Sequence, residues 1–110
     1  ARDKKTAVLA EKTLSREPNV HVIADLPKWA YIQTLLSRGD RRVSNLLIRV
    51  HENGGNWPKS YKESPINPDF FVYRPLLINE PLPWDFISTG VPKSRLEKEY
   101  LQACEVIRSF

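Results

Sequence analysis

Apolar residues recur every three or four positions over much of this chain, the period of a helix with one buried face. Residues 3 to 16, DKKTAVLAEKTLSR, follow it through Val8, Leu9 and Leu14, and Glu17-Pro18-Asn19 stops the run. NVHVIA, residues 19 to 24, breaks the period, because it alternates and is β-branched and so predicts a strand. Asp25-Leu26-Pro27 opens a second helix, with proline in the first turn, where a missing N–H costs little. Trp29, Ile32, Leu35 and Leu36 then return at helical spacing. Gly39 stands where a helix ends in a left-handed residue, and Asp40 stands as the N-cap of a third helix, RRVSNLLIRVHEN. Val43, Leu46, Leu47 and Val50 form the core face of that helix, and Gly54-Gly55 end it.

The pattern changes from residue 56 to residue 92, where seven of the nine prolines fall: Pro58, Pro65, Pro68, Pro75, Pro81, Pro83 and Pro92. Asn56 predicts the start of a short helix, and Asn67-Pro68-Asp69 reads as cap and first turn for DFFVY. RPLLINEPLPWDFISTGVP predicts an extended loop, too rich in Leu, Ile, Trp and Phe for disorder and so expected to be packed down. A last helix runs from Lys93 to Ser109, with Leu96, Tyr100, Ala103 and Ile107 on one stripe and Cys104 beside it. The fold expected is mainly α: a helical hairpin plus a C-terminal helix, one or two short β-strands and a long proline-rich packed loop. Its parts are residues 1–25 (helix and strand), 26–55 (hairpin), 56–92 (proline- and aromatic-rich segment) and 93–110 (final helix).

The 110 residues suit one domain, and such a chain buries roughly two-thirds of its unfolded surface. The single cysteine excludes an internal disulfide and argues for a reducing, cytoplasmic setting. No apolar run reaches the length that spans a membrane, and the first residues lack the apolar core of a signal peptide. The absence of methionine suggests an excised fragment. Net charge is +4, and the excess lies in the first half: residues 1 to 50 hold 10 Lys/Arg against 5 Asp/Glu, and residues 51 to 110 hold 7 against 8. This reads either as solvated surface or as a patch for nucleic acid or phosphate.

Arg38-Gly39-Asp40 is a known adhesion tripeptide, but a displayed ligand wants a flexible, braced tip, and here two amphipathic helices bracket it. A DNA-binding helix-turn-helix places apolar residues on both sides of its turn glycine; Arg38 and Asp40 occupy those places, so a plain helical hairpin fits better. Its outer residues Arg41, Arg42, Asn45 and Arg49 could still meet phosphate. His21 and His51 have no paired cysteines at zinc spacing. Cys104 reads as a buried structural thiol, and Glu97 and Glu99 as surface charges near Lys93 and Arg95. Trp29, Trp57, Trp84, Phe70, Phe71, Tyr73 and Phe86 could build a base-stacking platform or simply a core. Trp84 sits in a stiff stretch, with Asp85 able to cap the residues after it.

Three segments in order carry a resemblance: LPKWAYIQTLLSRGDRRV (26 to 43), NPDFFVYRP (67 to 75) and LPWDFISTGVPKSRLEKEY (82 to 100). Together they resemble the region that follows the catalytic barrel in a family of radical SAM proteins, many of which carry a cobalamin-binding-like domain at the amino end. The similarity runs from about residue 19 to 103. The Arg-Gly-Asp-Arg-Arg corner and the Pro-Trp-Asp-Phe-Ile tract are its specific elements when they occur together. The resemblance implies a parent enzyme holding a [4Fe–4S] cluster and S-adenosylmethionine, in some relatives with cobalamin. The family's CxxxCxxC motif is absent here, so no catalytic, cofactor or metal residue is carried over to this chain.

The function expected is therefore an accessory, substrate-positioning C-terminal domain that is inert alone and whose partner is the barrel of the same polypeptide. A nucleic-acid-binding module using the basic hairpin, and a protein-interaction domain docking near Trp84, are the alternatives. Arg38, Asp40, Arg41, Arg42, Trp84 and Asp85 are the candidate substrate or interdomain contacts, with the arginines meeting carboxylates or phosphate and the Trp84 tract clamping the final helix to the hairpin.

Overall fold

The structure, a computed structural model, describes residues 2–110. Six helices follow one another: α1 (Arg2–Leu14), α2 (Pro27–Arg38), α3 (Val43–Glu52), α4 (Trp57–Glu63), α5 (Pro68–Tyr73) and α6 (Lys93–Arg108). The chain divides into two units, the first ending at Arg74 and the second running from Pro75 to Phe110.

In the first unit, α2 packs against α5 and α3 against α4. The core is Leu35 of α2, Val43, Leu46 and Val50 of α3, and Phe71 and Val72 of α5, with Tyr31, Trp57, Tyr61 and Ile66 packed against it. Leu35 and Leu46 are fully buried. Positions 43, 46 and 50 share one face of a helix, which is why α3 buries one stripe and leaves Leu47 partly exposed. The short helices start at the expected caps. Asn56 Oδ1 accepts from the Lys59 N–H at 3.1 Å, and Asn67 Oδ1 accepts from the Asp69 N–H at 3.1 Å. The α3–α4 junction closes through Ser60, whose buried hydroxyl donates to the Asn56 carbonyl at 2.7 Å and accepts from Asn53 Nδ2 at 3.0 Å. Gly54 and Gly55 take φ of 64° and 87°, a left-handed pair that turns the chain between these helices.

Four expectations need correction. NVHVIA does not form a strand, and no strand occurs among the described residues. A strand needs a neighbour to complete its backbone hydrogen bonds, and β-branched alternation alone cannot supply one. Ile23 is accordingly 95% exposed. The helix before it ends near its expected stop: Ser15 and Glu17 N–H groups still donate to Glu11 and Leu14 carbonyls, and Asn19 then takes φ 61°.

The corner at Gly39 is not left-handed, since its φ is −73° and ψ 165°. The glycine is required for space instead. A Cβ there would lie 2.4 Å from Val43 Cγ2 and 2.7 Å from the Leu35 carbonyl oxygen.

The proline-rich tract is not packed down within the second unit: Leu77, Phe86 and Ile87 are 68%, 87% and 57% exposed. Apolar content buries a segment only where another element lies against it. Its backbone is nevertheless ordered by turns. The Leu77 N–H donates to Glu80 Oε2 at 3.1 Å, and the Ile87 N–H donates to the Trp84 carbonyl at 3.0 Å. Helix α6 buries none of its residues. Leu96, Tyr100, Leu101, Val106 and Ile107 are exposed, and Cys104, expected to be buried, is half-buried.

Candidate functional site

The first unit carries a cleft of about 680 Å3 between the start of α2, the head of α4 and helix α5. Trp29 and Tyr31 come from α2, Trp57 and Tyr61 from α4, and Asp69 and Tyr73 from α5. Local sequence explains each placement. Pro27 starts α2 two residues ahead of Trp29, Asn56 starts α4 at Trp57, and the four-residue step from Trp57 to Tyr61 puts both on one face.

The rings form a connected wall. Tyr31 meets Tyr61 edge-on at 5.6 Å between centroids and lies 6.0 Å from Tyr73, while Trp57 lies 5.9 Å from Tyr61. The Tyr31 hydroxyl donates to Asp69 Oδ1 at 2.5 Å. Burial pushes the Tyr31 phenol well above the ordinary tyrosine range by removing water from the phenolate, and Asp69 adds to it by accepting the phenol proton and by repelling a second negative charge. Burial also raises the Tyr61 phenol. Lys28 Nζ stands 5.2 Å from the centroid of the Trp29 ring, a cation over an aromatic face at the edge of the cleft.

The Arg38–Arg42 corner lies at the other end of α2. Arg38 reaches the end of α5, where its guanidinium donates to the Val72 carbonyl at 2.7 Å and to the Arg74 carbonyl. These carbonyls stand at the C-terminal end of a helix, where a fixed cation is favoured. The arginine of the adhesion-like tripeptide is thus an internal cap.

Asp40 is not the residue next to α3. Arg42 holds that place in helical conformation, and Asp40 lies two residues earlier. Its Oδ1 accepts the Arg42 N–H at 2.9 Å, and its carboxylate accepts the Arg42 guanidinium, closest at 2.7 Å. This hydrogen bonding holds the Asp40 carboxyl below its ordinary range. The Arg42 guanidinium also stands 5.0 Å from the Phe71 ring and 5.7 Å from the Phe70 ring. Arg41 is exposed; its carbonyl accepts from Ser44, and its charge adds a smaller pull on the Asp40 carboxylate. Arg49, another member of the basic face, lies near Glu52 and Glu63 at 3.9 and 3.8 Å.

Trp84 and Asp85 belong to the second unit. Asp85 does not cap the residues after it. Its Oδ2 accepts the preceding Leu82 N–H at 2.8 Å and the Lys93 ammonium at 2.9 Å, tying the turn to the head of α6. Lys93 also donates to the Glu80 carbonyl at 3.1 Å. The backbone bond to Leu82, then Lys93, holds the Asp85 carboxyl below its usual range. Trp84 remains 38% exposed.

The structure therefore gathers Arg38, Asp40 and Arg42 at one corner, leaves Arg41 outward and holds Trp84 and Asp85 in another unit. The stacking platform divides in the same way: Phe71 is core, Trp29, Trp57 and Tyr73 line the cleft, and Trp84 and Phe86 lie in the second unit. Sequence reasoning missed Tyr31, Tyr61 and Asp69. The Trp57–Tyr61 step was a usable signal, whereas the pairing of Tyr31 with Asp69 across 38 positions had none. One cysteine cannot supply the three thiolates of a radical SAM cluster, and no metal-holding group of three His, Cys, Asp or Glu occurs among the described residues. Comparison with family models, curated proteins and solved structures finds no match for this chain.

Proposed function

We propose that this chain is an accessory, substrate-positioning domain of a cytoplasmic radical SAM protein, not catalytic by itself, whose partner is the barrel of the same polypeptide. The observation that carries the reading is the joining of two of the segments that bear the resemblance. Residues 26–43 and 67–75 are bound to each other by Arg38 on the Val72 and Arg74 carbonyls, by Tyr31 on Asp69, and by the shared core of Leu35, Val43, Phe71 and Val72. They form one scaffold, and that scaffold supports the aromatic cleft. A cleft of this size, mostly apolar with a few polar groups, is of the kind that takes a small ligand or a side chain. The exposed apolar residues of α6 support docking on a larger body.

The cation-rich hairpin face supports nucleic-acid binding less well, because Arg38, Arg42 and Arg49 are each engaged by acceptors within the unit. Reading the coding sequence upstream of Ala1 tests the proposal. Three cysteines spaced as CxxxCxxC within the preceding few hundred codons are expected, and a start codon directly before Ala1 or an upstream region without that motif overturns it. Reconstitution with iron and sulfide is the biochemical counterpart: the longer polypeptide takes up a cluster and the 110-residue chain does not.

A further inference from the structure

We propose that the aromatic cleft of the first unit binds an organic ammonium cation, with the rings of Tyr31, Trp57, Tyr61 and Tyr73 as its wall and Asp69 as its counter-charge. This rests on the cleft being a ligand site and names the class of ligand. Aromatic faces attract cations through their quadrupole, most strongly when water is excluded, and alkylated ammonium groups lose little on leaving water. Five of the six side chains that define the cleft here are Trp or Tyr.

The sixth, Asp69, decides the sign of the ligand. Its carboxylate takes the Tyr31 hydroxyl on Oδ1 and makes no ion pair with any lysine or arginine among the described residues. A carboxylate has about four acceptor positions, so acceptor capacity remains after one phenol is bound. The cationic groups around α5 are engaged away from Asp69: Arg38 with backbone carbonyls, Arg42 with Asp40, Arg74 over the Phe70 ring, and Lys28 over Trp29. The Lys28–Trp29 contact places a cation over an aromatic face at the edge of the same cleft. A nucleotide would stack on the same rings, but it would bring its phosphates toward Asp69 with only Lys28 in the cleft to meet them.

Choline chloride is the probe, and its uncharged isostere 3,3-dimethylbutan-1-ol the control. Each is titrated into the 110-residue protein while indole fluorescence and the aromatic NMR signals of Trp29, Trp57 and the tyrosines are followed. Choline is expected to give saturable changes in the cleft residues at concentrations about tenfold below the isostere. Asp69→Asn keeps an acceptor for the Tyr31 hydroxyl and removes the charge. It is expected to narrow the preference for choline over the isostere several-fold, leaving only the share due to the rings, and to leave the isostere unchanged. Trp29→Ala, at a half-exposed position outside the core, is expected to fold and to weaken choline less than Tyr73→Ala, which removes a member of the wall.

Equal binding of choline and the isostere overturns the proposal. So does the absence of saturable binding, and so does uridine or adenosine monophosphate binding more tightly than choline. If Asp69→Asn fails to fold by circular dichroism, the choline-to-isostere ratio on the wild-type chain decides alone. None of these outcomes depends on upstream cysteines, so failure here and failure of the radical SAM reading are distinguishable.

Discussion

Arg38 Nη1 donates to the carbonyl of Val72 at 2.7 Å, across 34 positions of sequence, and the other guanidinium nitrogen donates to the carbonyl of Arg74. One side chain at the end of α2 thereby closes the end of α5. Planar fork geometry suits this task because two carbonyls are met at once, and an ammonium cannot reproduce it. Arg38→Ala is expected to lower stability by about 2–3 kcal/mol, the loss of charge-assisted bonds to partly buried acceptors. Arg38→Lys should recover less than half of that. Urea unfolding of the three proteins checks it, and equal stability of the lysine and arginine forms would remove the fork from the explanation.

Gly39 faces Val43 at a distance that leaves no room for a side chain. Gly39→Ala is expected to destabilise by about 1–3 kcal/mol through overpacking. A left-handed corner would tolerate asparagine better than alanine. This corner, with φ −73°, should accept asparagine no better than alanine. Adding Val43→Ala to Gly39→Ala should restore part of the loss beyond additivity, because it removes the nearer of the two clashing atoms. A double-mutant cycle in urea measures it.

Asp40 has its carboxyl held below the ordinary range by Arg42. The unfolded chain releases that proton at about pH 3.9, and the folded chain at lower pH. The stabilisation is therefore complete above the unfolded value and is lost as pH falls through the folded one. Wild-type and Asp40→Asn proteins should differ by a constant amount at neutral pH, and the difference should shrink as pH falls below about 4. Denaturant midpoints between neutral and acid pH report it, and a difference that grows toward acid would contradict the pairing.

Tyr31 has its phenol pushed upward by burial and by Asp69. A tyrosine in an unfolded chain ionises at about pH 10, so the folded state holds a proton there that the unfolded state releases. The stability from this site is full below that pH and falls as pH rises above it. Ultraviolet titration should show one tyrosine ionising later than the rest, and Tyr31→Phe should flatten the alkaline loss of stability. In Asp69→Asn the late phenol should move toward the ordinary range.

The helices were legible along the chain because their causes are local. Pro27 two residues before Trp29, the cap residues Asn56 and Asn67, and the Val43–Leu46–Val50 spacing each act within a turn or two. For the same reason the sequence by itself determined a mainly helical chain, a break at residues 39 to 42 and a proline-rich tract after α5. It could not decide what depends on a distant partner. NVHVIA has the composition of a strand, yet no neighbour completes a ladder, and RPLLINEPLPWDFISTGVP has core-like residues that remain exposed. Only the tertiary structure turned the arginine of an adhesion-like tripeptide into a cap on α5, and Gly39 into a point of close approach. Only it brought Tyr31 to Asp69 within one aromatic cleft. Helical period and capping are short-range preferences written in neighbouring residues, whereas these pairings arise when α2 and α5 bury a common core, a choice made by packing across more than thirty positions of chain.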